Sequence, residues 1–349
     1  MGPLRRTGEG QGEDEYAMLN VAIVGAGGMG RRHAASFRET GEARLAAVID
    51  PDREAAAALA GEQARVFATL EEALGECDVD AVDVCAPTPF HAALAVQALK
   101  AGKHLLLEKP MARTLEECDA IIEAARGSGR TAMVAHVLRF FPEFVRGKEA
   151  VDAGLVGEPA VVRTSRGGGM PRGQDSWYRD IAQSGGVVLD LIIHDFDWLR
   201  WVLGPAERVY ARGLAHSGRD GQDYALVTIR FRSGAIAHVE GTWMRPAGFE
   251  TRYEIAGTQG LLDFSSRDSA TLRVSRFAAA GTRPAVEVPE SPLAESPYTA
   301  QIRHFLHCVR TGEPPKVSLE DARAAVEIAL GALESMRTGE PVALRYQES

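Results

Sequence analysis

Leu19-Asn20-Val21-Ala22-Ile23-Val24-Gly25-Ala26-Gly27-Gly28-Met29-Gly30 is the stretch on which the fold turns. The apolar run 19–24 reads as a buried strand, and the glycines at 25, 27 and 30 then fall at the spacing G-x-G-x-x-G. Residues 31–39 continue as a helix. In such a turn the first glycine permits the tight bend and the second lets the backbone approach a pyrophosphate. The third lets helix and strand pack closely, with the helix N-terminus aimed at the phosphates. Gly25, Gly27, Gly28, Met29 and Gly30 are therefore candidate cofactor contacts. A second apolar strand, 45–49, ends in Asp50, where a carboxylate would accept hydrogen bonds from the adenosine ribose hydroxyls. Arg53, a turn away, could pair with Asp50 or with a 2′-phosphate. The carboxylate lies nearer the ribose in this geometry, so NAD is expected, with NADP as the alternative.

The βαβ rhythm continues outward from this motif. Residues 54–61 form an alanine-rich helix, and 79–85 an apolar strand interrupted by Asp83. Ala86-Pro87-Thr88-Pro89-Phe90-His91 then turns into a helix over 92–101. Strand 103–107 ends in Glu108-Lys109-Pro110. A lysine at the carboxyl end of a central strand points into the crevice where open α/β sheets bind ligands. Pro110 keeps Lys109 extended, and a desolvated ammonium there can donate to a substrate oxygen. A solvated strand-end lysine is the plainer reading of the triplet by itself.

Further along, Gly185-Gly186-Val187-Val188-Leu189-Asp190-Leu191-Ile192-Ile193-His194-Asp195-Phe196-Asp197-Trp198 is helical in its apolar pattern. It nevertheless carries three carboxylates and a histidine. Asp190 and His194 stand four apart, on one face of an α-helix. A carboxylate one turn from an imidazole fixes its tautomer and raises its basicity. A satisfied core histidine or a capping cluster is the competing reading of this segment.

With these motifs in hand, the chain resembles the Gfo/Idh/MocA family, the glucose-fructose oxidoreductase, inositol dehydrogenase and rhizopine catabolism proteins. The resemblance rests on 25–30, 86–91, 101–110 and the 185–197 segment, in the family order and spread over most of 19–345. It implies a two-domain NAD(P)-dependent oxidoreductase of sugars or polyols resembling inositol 2-dehydrogenase, with Lys109 and His194 catalytic and Asp190 in support. Pro87, Thr88, His91, Glu108 and Lys109 join the cofactor side under this reading. His136, Arg166, Trp177, Lys109, Asp190 and His194 form the substrate side. A catalytically silent NAD- or sugar-sensing regulator, and another reductase or NAD-dependent glycosidase on the same fold, are the alternatives.

The expected architecture is an α/β plus α+β chain. An N-terminal Rossmann domain over 18–138, a doubly wound parallel sheet, precedes a substrate-binding and oligomerisation domain over 139–349. That second domain is expected to hold a mostly antiparallel, open-faced sheet, because consecutive strand-like runs follow one another from 159 to 264 without helices between. Ser233-Gly234 is a hairpin signal. Helix 319–337 is a candidate to pack back on the first domain. Tyr224, Leu226, Val227, Ile229, Phe231, Ile236, Val239, Trp243, Tyr253 and Ile255 read as more apolar surface than helix 185–203 covers, which predicts a homo-oligomer, a dimer or tetramer, through that sheet. The glycine-rich 167–180 segment reads as a substrate-side loop in which Trp177 could stack on a sugar.

Composition frames these readings. The 349 residues are 45% hydrophobic and 25% charged, enough for two cored domains. A net charge of −9 argues against nucleic acid or an anionic membrane as partner, and no run reaches the ~18 apolar residues of a membrane span. Cys77, Cys85, Cys118 and Cys308 lack metal spacing and read as small hydrophobes in a reducing cytoplasm. His304 and His307 have half of a metal site and no third ligand, so no metal is expected. Arg5-Arg6 is not followed by an apolar stretch, so 1–17 reads as a disordered leader without an export signal, with Met18 as a functional start.

Overall fold

A computed structural model of the protein describes residues 17–169, 177, 180–215, 223–245, 248–268, 272–276, 286–287 and 295–345. The chain divides into two units. The first runs to Val137 and takes back the stretch up to Ala322; the second begins at Leu138 and includes Arg323 onward.

The first unit alternates strand and helix. Its elements are β1 (Leu19–Val24), α1 (Gly28–Thr40), β2 (Ala43–Ile49), α2 (Arg53–Ala60), β3 (Arg65–Phe67) and α3 (Leu70–Glu76). They continue through β4 (Ala81–Val84), α4 (His91–Lys100), β5 (His104–Leu107), α5 (Leu115–Ser128) and β6 (Ala132–Val134). Threonine caps with a glutamate three residues on start α3 and α5: Thr69 with Glu72 and Thr114 with Glu117 form complete capping boxes. The strands order as β3-β2-β1-β4-β5-β6, all parallel. Chain direction across the sheet reverses between β1 and β4, and ligands bind at the carboxyl ends of strands beside such a switch point.

The second unit holds α6 (Pro142–Asp152), β7 (Pro159–Gly167), α7 (Ile181–Ser184), a π-helical turn (Val187–Leu191) and α8 (Ile193–Leu203). Strands β8 (Ala206–Leu214), β9 (Tyr224–Phe231), β10 (Ile236–Thr242), β11 (Glu250–Gly257), β12 (Gly260–Ser265), β13 (Leu272–Arg276) and β14 (Val286–Glu287) follow. After them come α9 (Pro297–Thr311), α10 (Leu319–Thr338) and β15 (Val342–Ala343). The nine-stranded sheet, β14-β13-β12-β11-β7-β10-β9-β8-β15, is mixed. Only the β10–β7 pair is parallel among the described residues, and β9 and β10 form the hairpin expected at Ser233-Gly234.

Helices pack on one sheet face. Trp198 of α8 and Phe144 of α6 meet Tyr253 at ring separations of 4.6 and 5.3 Å, and Trp198 Nε1 donates to the Phe144 carbonyl at 3.0 Å. Gly241 admits the helical layer: a Cβ there would lie 2.5 Å from Ile192 Cγ2. This packing corrects the expectation of a strongly apolar open face. Val227, Ile229, Phe231, Val239, Trp243, Tyr253 and Ile255 are all buried. Strict strand alternation turns most of them towards the helices. The opposite face is mixed: Leu226 is exposed, but Thr228 with His238, and the Arg163–Glu254 ion pair, make much of it polar.

The segment that returns to the first unit also differs from expectation. It is α9 and the first turn of α10; the rest of 319–337 groups with the second unit. The reason lies in α9, which buries Ile302, Phe305 and Leu306 and packs on α1. Thr299 Oγ1 donates to Ser36 Oγ at 3.2 Å and Arg310 pairs with Glu42.

His104 at the start of β5 gives the first unit an acid sensitivity. Its Nδ1 accepts the Thr131 N–H at 3.1 Å, and burial, with Arg130 adding to it, pushes the imidazole down to about 4. The unfolded chain takes up a proton on falling through the ordinary histidine value of ~6.5, whereas the folded chain resists until about 4, so stability drops across that window. Urea unfolding followed between those limits should show this loss in the wild type and a shallower one in His104→Asn.

Candidate active site

In the first unit the glycine turn is built as the sequence implied. Gly25 has a φ of +103°, and a Cβ there would meet the Cys85 carbonyl at 2.8 Å. A Cβ on Gly30 would lie 1.9 Å from the Gly25 oxygen. Gly27 and Gly28 are different: both are exposed and a Cβ on either meets nothing within 4 Å. The protein itself does not require glycine there, whereas a dinucleotide backbone lying against the turn does. Gly27 is also the N-cap of α1 and supplies no side-chain acceptor to the first-turn amides. Met29 is half-buried beside them. Asp50 Oδ2 accepts the Ala26 N–H at 2.7 Å and Oδ1 the Asp52 N–H at 2.9 Å, which ties the tip of β2 to the glycine turn. Arg53 is exposed at the start of α2. These residues fit a dinucleotide.

The next strand tips are locked together. His91 is buried, its Nδ1 2.8 Å from the Pro110 carbonyl and its Nε2 2.8 Å from the Ala86 carbonyl. It thereby joins the Ala86-Pro87 turn to the Glu108-Lys109-Pro110 tip, and burial lowers its basicity. Thr88 is buried and Pro87 half-buried. Lys109 is half-buried, and its backbone N–H donates to its neighbour's carboxylate, Glu108 Oε2, at 3.0 Å. Sequence reasoning did not single out His33. It lies in α1 with its ring between Asp83 and Glu108. An acid at 83 inside an apolar strand was the available signal, because a buried carboxylate needs a partner. Asp83 and Cys85, read as an interruption and a small hydrophobe, are that ring's neighbours.

The second unit sorts the acidic segment. Asp195 and Asp197 are structural: Arg166 Nε donates to Asp195 at 2.6 Å, and Arg139 donates to Asp197 through two nitrogens at 2.9 and 2.7 Å. All four groups are buried. Arg166, expected on the substrate side, thus has its guanidinium committed to Asp195, with its charge also 5.8 Å from the Phe144 ring centroid. Asp190 falls in the π-helical turn and His194 in the first turn of α8, so the straight α spacing expected between them does not apply. Single π turns in helices recur at functional sites. His194 is half-exposed, and every other residue of 184–200 is buried. His136 is fully buried in the first unit, and Trp177 is half-buried. The rest of the 170–179 loop lies outside the described residues, as does the 1–16 leader. His304 and His307 are taken up locally, by the Lys316 N–H at 2.8 Å and by Glu313 at 3.1 Å.

Residues 19–136 match the oxidoreductase family with an NAD-binding Rossmann fold, and 144–263 match the GFO/IDH/MocA C-terminal domain. The chain belongs to the GFO/IDH/MocA family. Its first unit is therefore an NAD-binding Rossmann domain, and the chain an oxidoreductase. Relatives include a myo-inositol 2-dehydrogenase of Thermotoga maritima, 30% identical over 337 residues that cover 93% of this chain and 98% of that one. A scyllo-inositol 2-dehydrogenase (NAD(+)) of Bacillus subtilis is 31% identical over 341 residues, covering 93% and 96%. Among solved structures, GenD2 from gentamicin A biosynthesis in complex with NAD superposes with a TM-score of 0.85 at 29% identity, covering 97% of this chain and 99% of that one.

The glycines separate two kinds of variant. Gly30→Ala should lower the thermal midpoint together with NAD affinity, because its methyl meets backbone. Gly27→Ala should leave the midpoint unchanged and weaken only NAD, by about tenfold or more. Thermal scans with and without NAD check both.

Proposed function

We propose that this chain is an NAD-dependent dehydrogenase that oxidises a secondary hydroxyl of a cyclic polyol or sugar of the inositol class, or reduces the ketone in reverse. The observation that carries the substrate class is the pair of inositol 2-dehydrogenases matched over more than nine tenths of the chain. The glycine turn and Asp50 bind the cofactor, and bound NAD supplies the hydride acceptor. Lys109 Nζ donates to the reacting oxygen and stabilises charge developing there. The imidazole of His194 takes the hydroxyl proton, which suits the one half-exposed side chain of an otherwise buried segment. Asp190 supports that base. Pro87, Thr88, His91 and Glu108 shape the cofactor side; His136 and Trp177 hold or frame the substrate side. Four free cysteines among the described residues suit a reducing, cytoplasmic setting.

Absorbance of NADH with a panel of inositols and pyranoses tests the activity. Lys109→Ala should lower kcat/KM by about a hundredfold or more. Because a base must be neutral to accept a proton, kcat/KM for oxidation should rise with pH through an imidazole titration, and His194→Asn should flatten that limb while NAD binding persists. If His194→Asn instead misfolds, the histidine is a packing residue. Asp50 should make NAD the better substrate, and Asp50→Ala should narrow the ratio of kcat/KM for NAD over NADP.

A homo-oligomer through the mixed face of the nine-stranded sheet belongs to the same proposal, with the exposed Leu226 of β9 on that face. Leu226→Asp should reduce the mass measured by light scattering at micromolar concentration and leave NAD affinity unchanged.

A further inference from the structure

His33 lies three residues past Gly30, on the helix that starts at the glycine turn, and its ring is fully buried. Nδ1 stands 2.9 Å from Asp83 Oδ2, and Nε2 stands 3.1 Å from Glu108 Oε1. A carboxylate beside each ring nitrogen favours the cationic, doubly protonated ring over the neutral one. Burial works against that charge, but the charge and hydrogen bond of Asp83 act the other way, and His33 is held well above the ordinary histidine range. Burial likewise works against a charged Glu108. The charge of His33, whose Nε2 stands at ion-pair distance without a hydrogen-bond alignment, with those of Lys109 and His91, nevertheless keeps its carboxyl below the ordinary value. An anion–cation–anion row thus runs from β4 through α1 to the tip of β5.

We propose that His33, as an imidazolium, is a positioning residue: it pins Glu108, whose second oxygen accepts the Lys109 N–H, and so sets the lysine that works on the substrate oxygen. This rests on the role given to Lys109 above. The Glu108 carboxylate is divided between the two duties, Oε1 towards the ring and Oε2 towards the lysine backbone. Because the pin sits on α1, the element that meets the cofactor phosphates also holds the lysine-bearing tip. Other charges bear on the row. Cys85 Sγ lies 3.4 Å from Nδ1, and burial pushes its thiol strongly up, so it faces the ring as a neutral group. Tyr298 of α9, raised by burial and then by Glu108, is also neutral, and Arg32 lies 5.2 Å from its ring.

The ligand atoms of His33, Asp83 and Cys85 lie within 4.8 Å of one another, a spacing that could hold a metal ion. The ion-pair reading puts a proton on Nδ1, where a metal would need the lone pair, so the two occupants exclude one another.

Nitrogen-15 NMR of the histidines should show both His33 nitrogens protonated at neutral pH. His33→Gln should keep NAD affinity within about threefold and slow hydride transfer in single turnovers by about tenfold or more. It should also create an acid limb in the pH profile, because Glu108 loses its cationic neighbour and titrates at higher pH. The added Glu108→Gln change should remove that limb. A neutral His33 in the wild type would overturn the proposal, as would an unchanged pH profile, a loss confined to stability and NAD affinity, or one equivalent of tightly bound metal that the His33→Gln protein lacks. Carbon-13 titration of Glu108 reads the pin without any substrate. An upward shift in His33→Gln supports the proposal even if Lys109 has no catalytic role, and an unshifted carboxyl overturns it even if the enzyme turns over polyols.

Discussion

The first unit hangs on one close approach of backbone to backbone. The space between Gly30 and the Gly25 carbonyl is too small for a methyl group, so β1 and α1 meet at the only distance that lets the chain reverse so sharply. That meeting point directs the helix axis. With the axis set, the open ground over Gly27 and Gly28 is left for a cofactor, the tip of β2 brings Asp50 to the turn, and His33 is carried over β4 and β5. Helix propensity contributes little to this: α1 begins without a side-chain cap and ends on a left-handed glycine.

The second unit uses charge as an internal fastener. Two arginines, one just before α6 and one on β7, each hold an aspartate of α8 in a buried pair. Buried pairs of this kind are weak sources of net stability, yet removing one partner costs about 3–5 kcal/mol because the other is left alone. Their effect is to fix the rotation and height of α8 against the sheet. With that helix held, and the π turn fitted over Gly241, His194 is the side chain left half-exposed.

The parts of the molecule legible beforehand were those with a strong local period or a required backbone shape. The glycine turn, the longer parallel strands and the Ser233-Gly234 hairpin are all of that kind. What escaped notice depends on partners distant in the chain. Arg65–Phe67, Leu272–Arg276, Val286–Glu287 and Val342–Ala343 are too short to show a period and are strands only because a neighbour pairs with them. The three carboxylates of 190–197 looked alike in sequence, and only Arg139 and Arg166, from remote positions, distinguish Asp195 and Asp197 from Asp190. The sheet face was misjudged for a related reason. Alternation puts Val227, Ile229 and Phe231 on one face, and only the packed helices reveal that this face is the covered one.

The return of α9 to the first unit has a consequence for synthesis on the ribosome. Chains emerge N-terminus first, and an early domain ordinarily completes its fold before the next is made. Here the surface of α1 that carries Ser36 and Glu39 stays uncovered until Thr299 has been translated, and Glu42 waits for Arg310. The nucleotide-binding half is begun first and finished nearly last, and the whole nine-stranded sheet apart from β15 is translated in the interval. A nascent chain stalled within that interval would leave Ser36, Glu39 and Glu42 without the partners that α9 supplies.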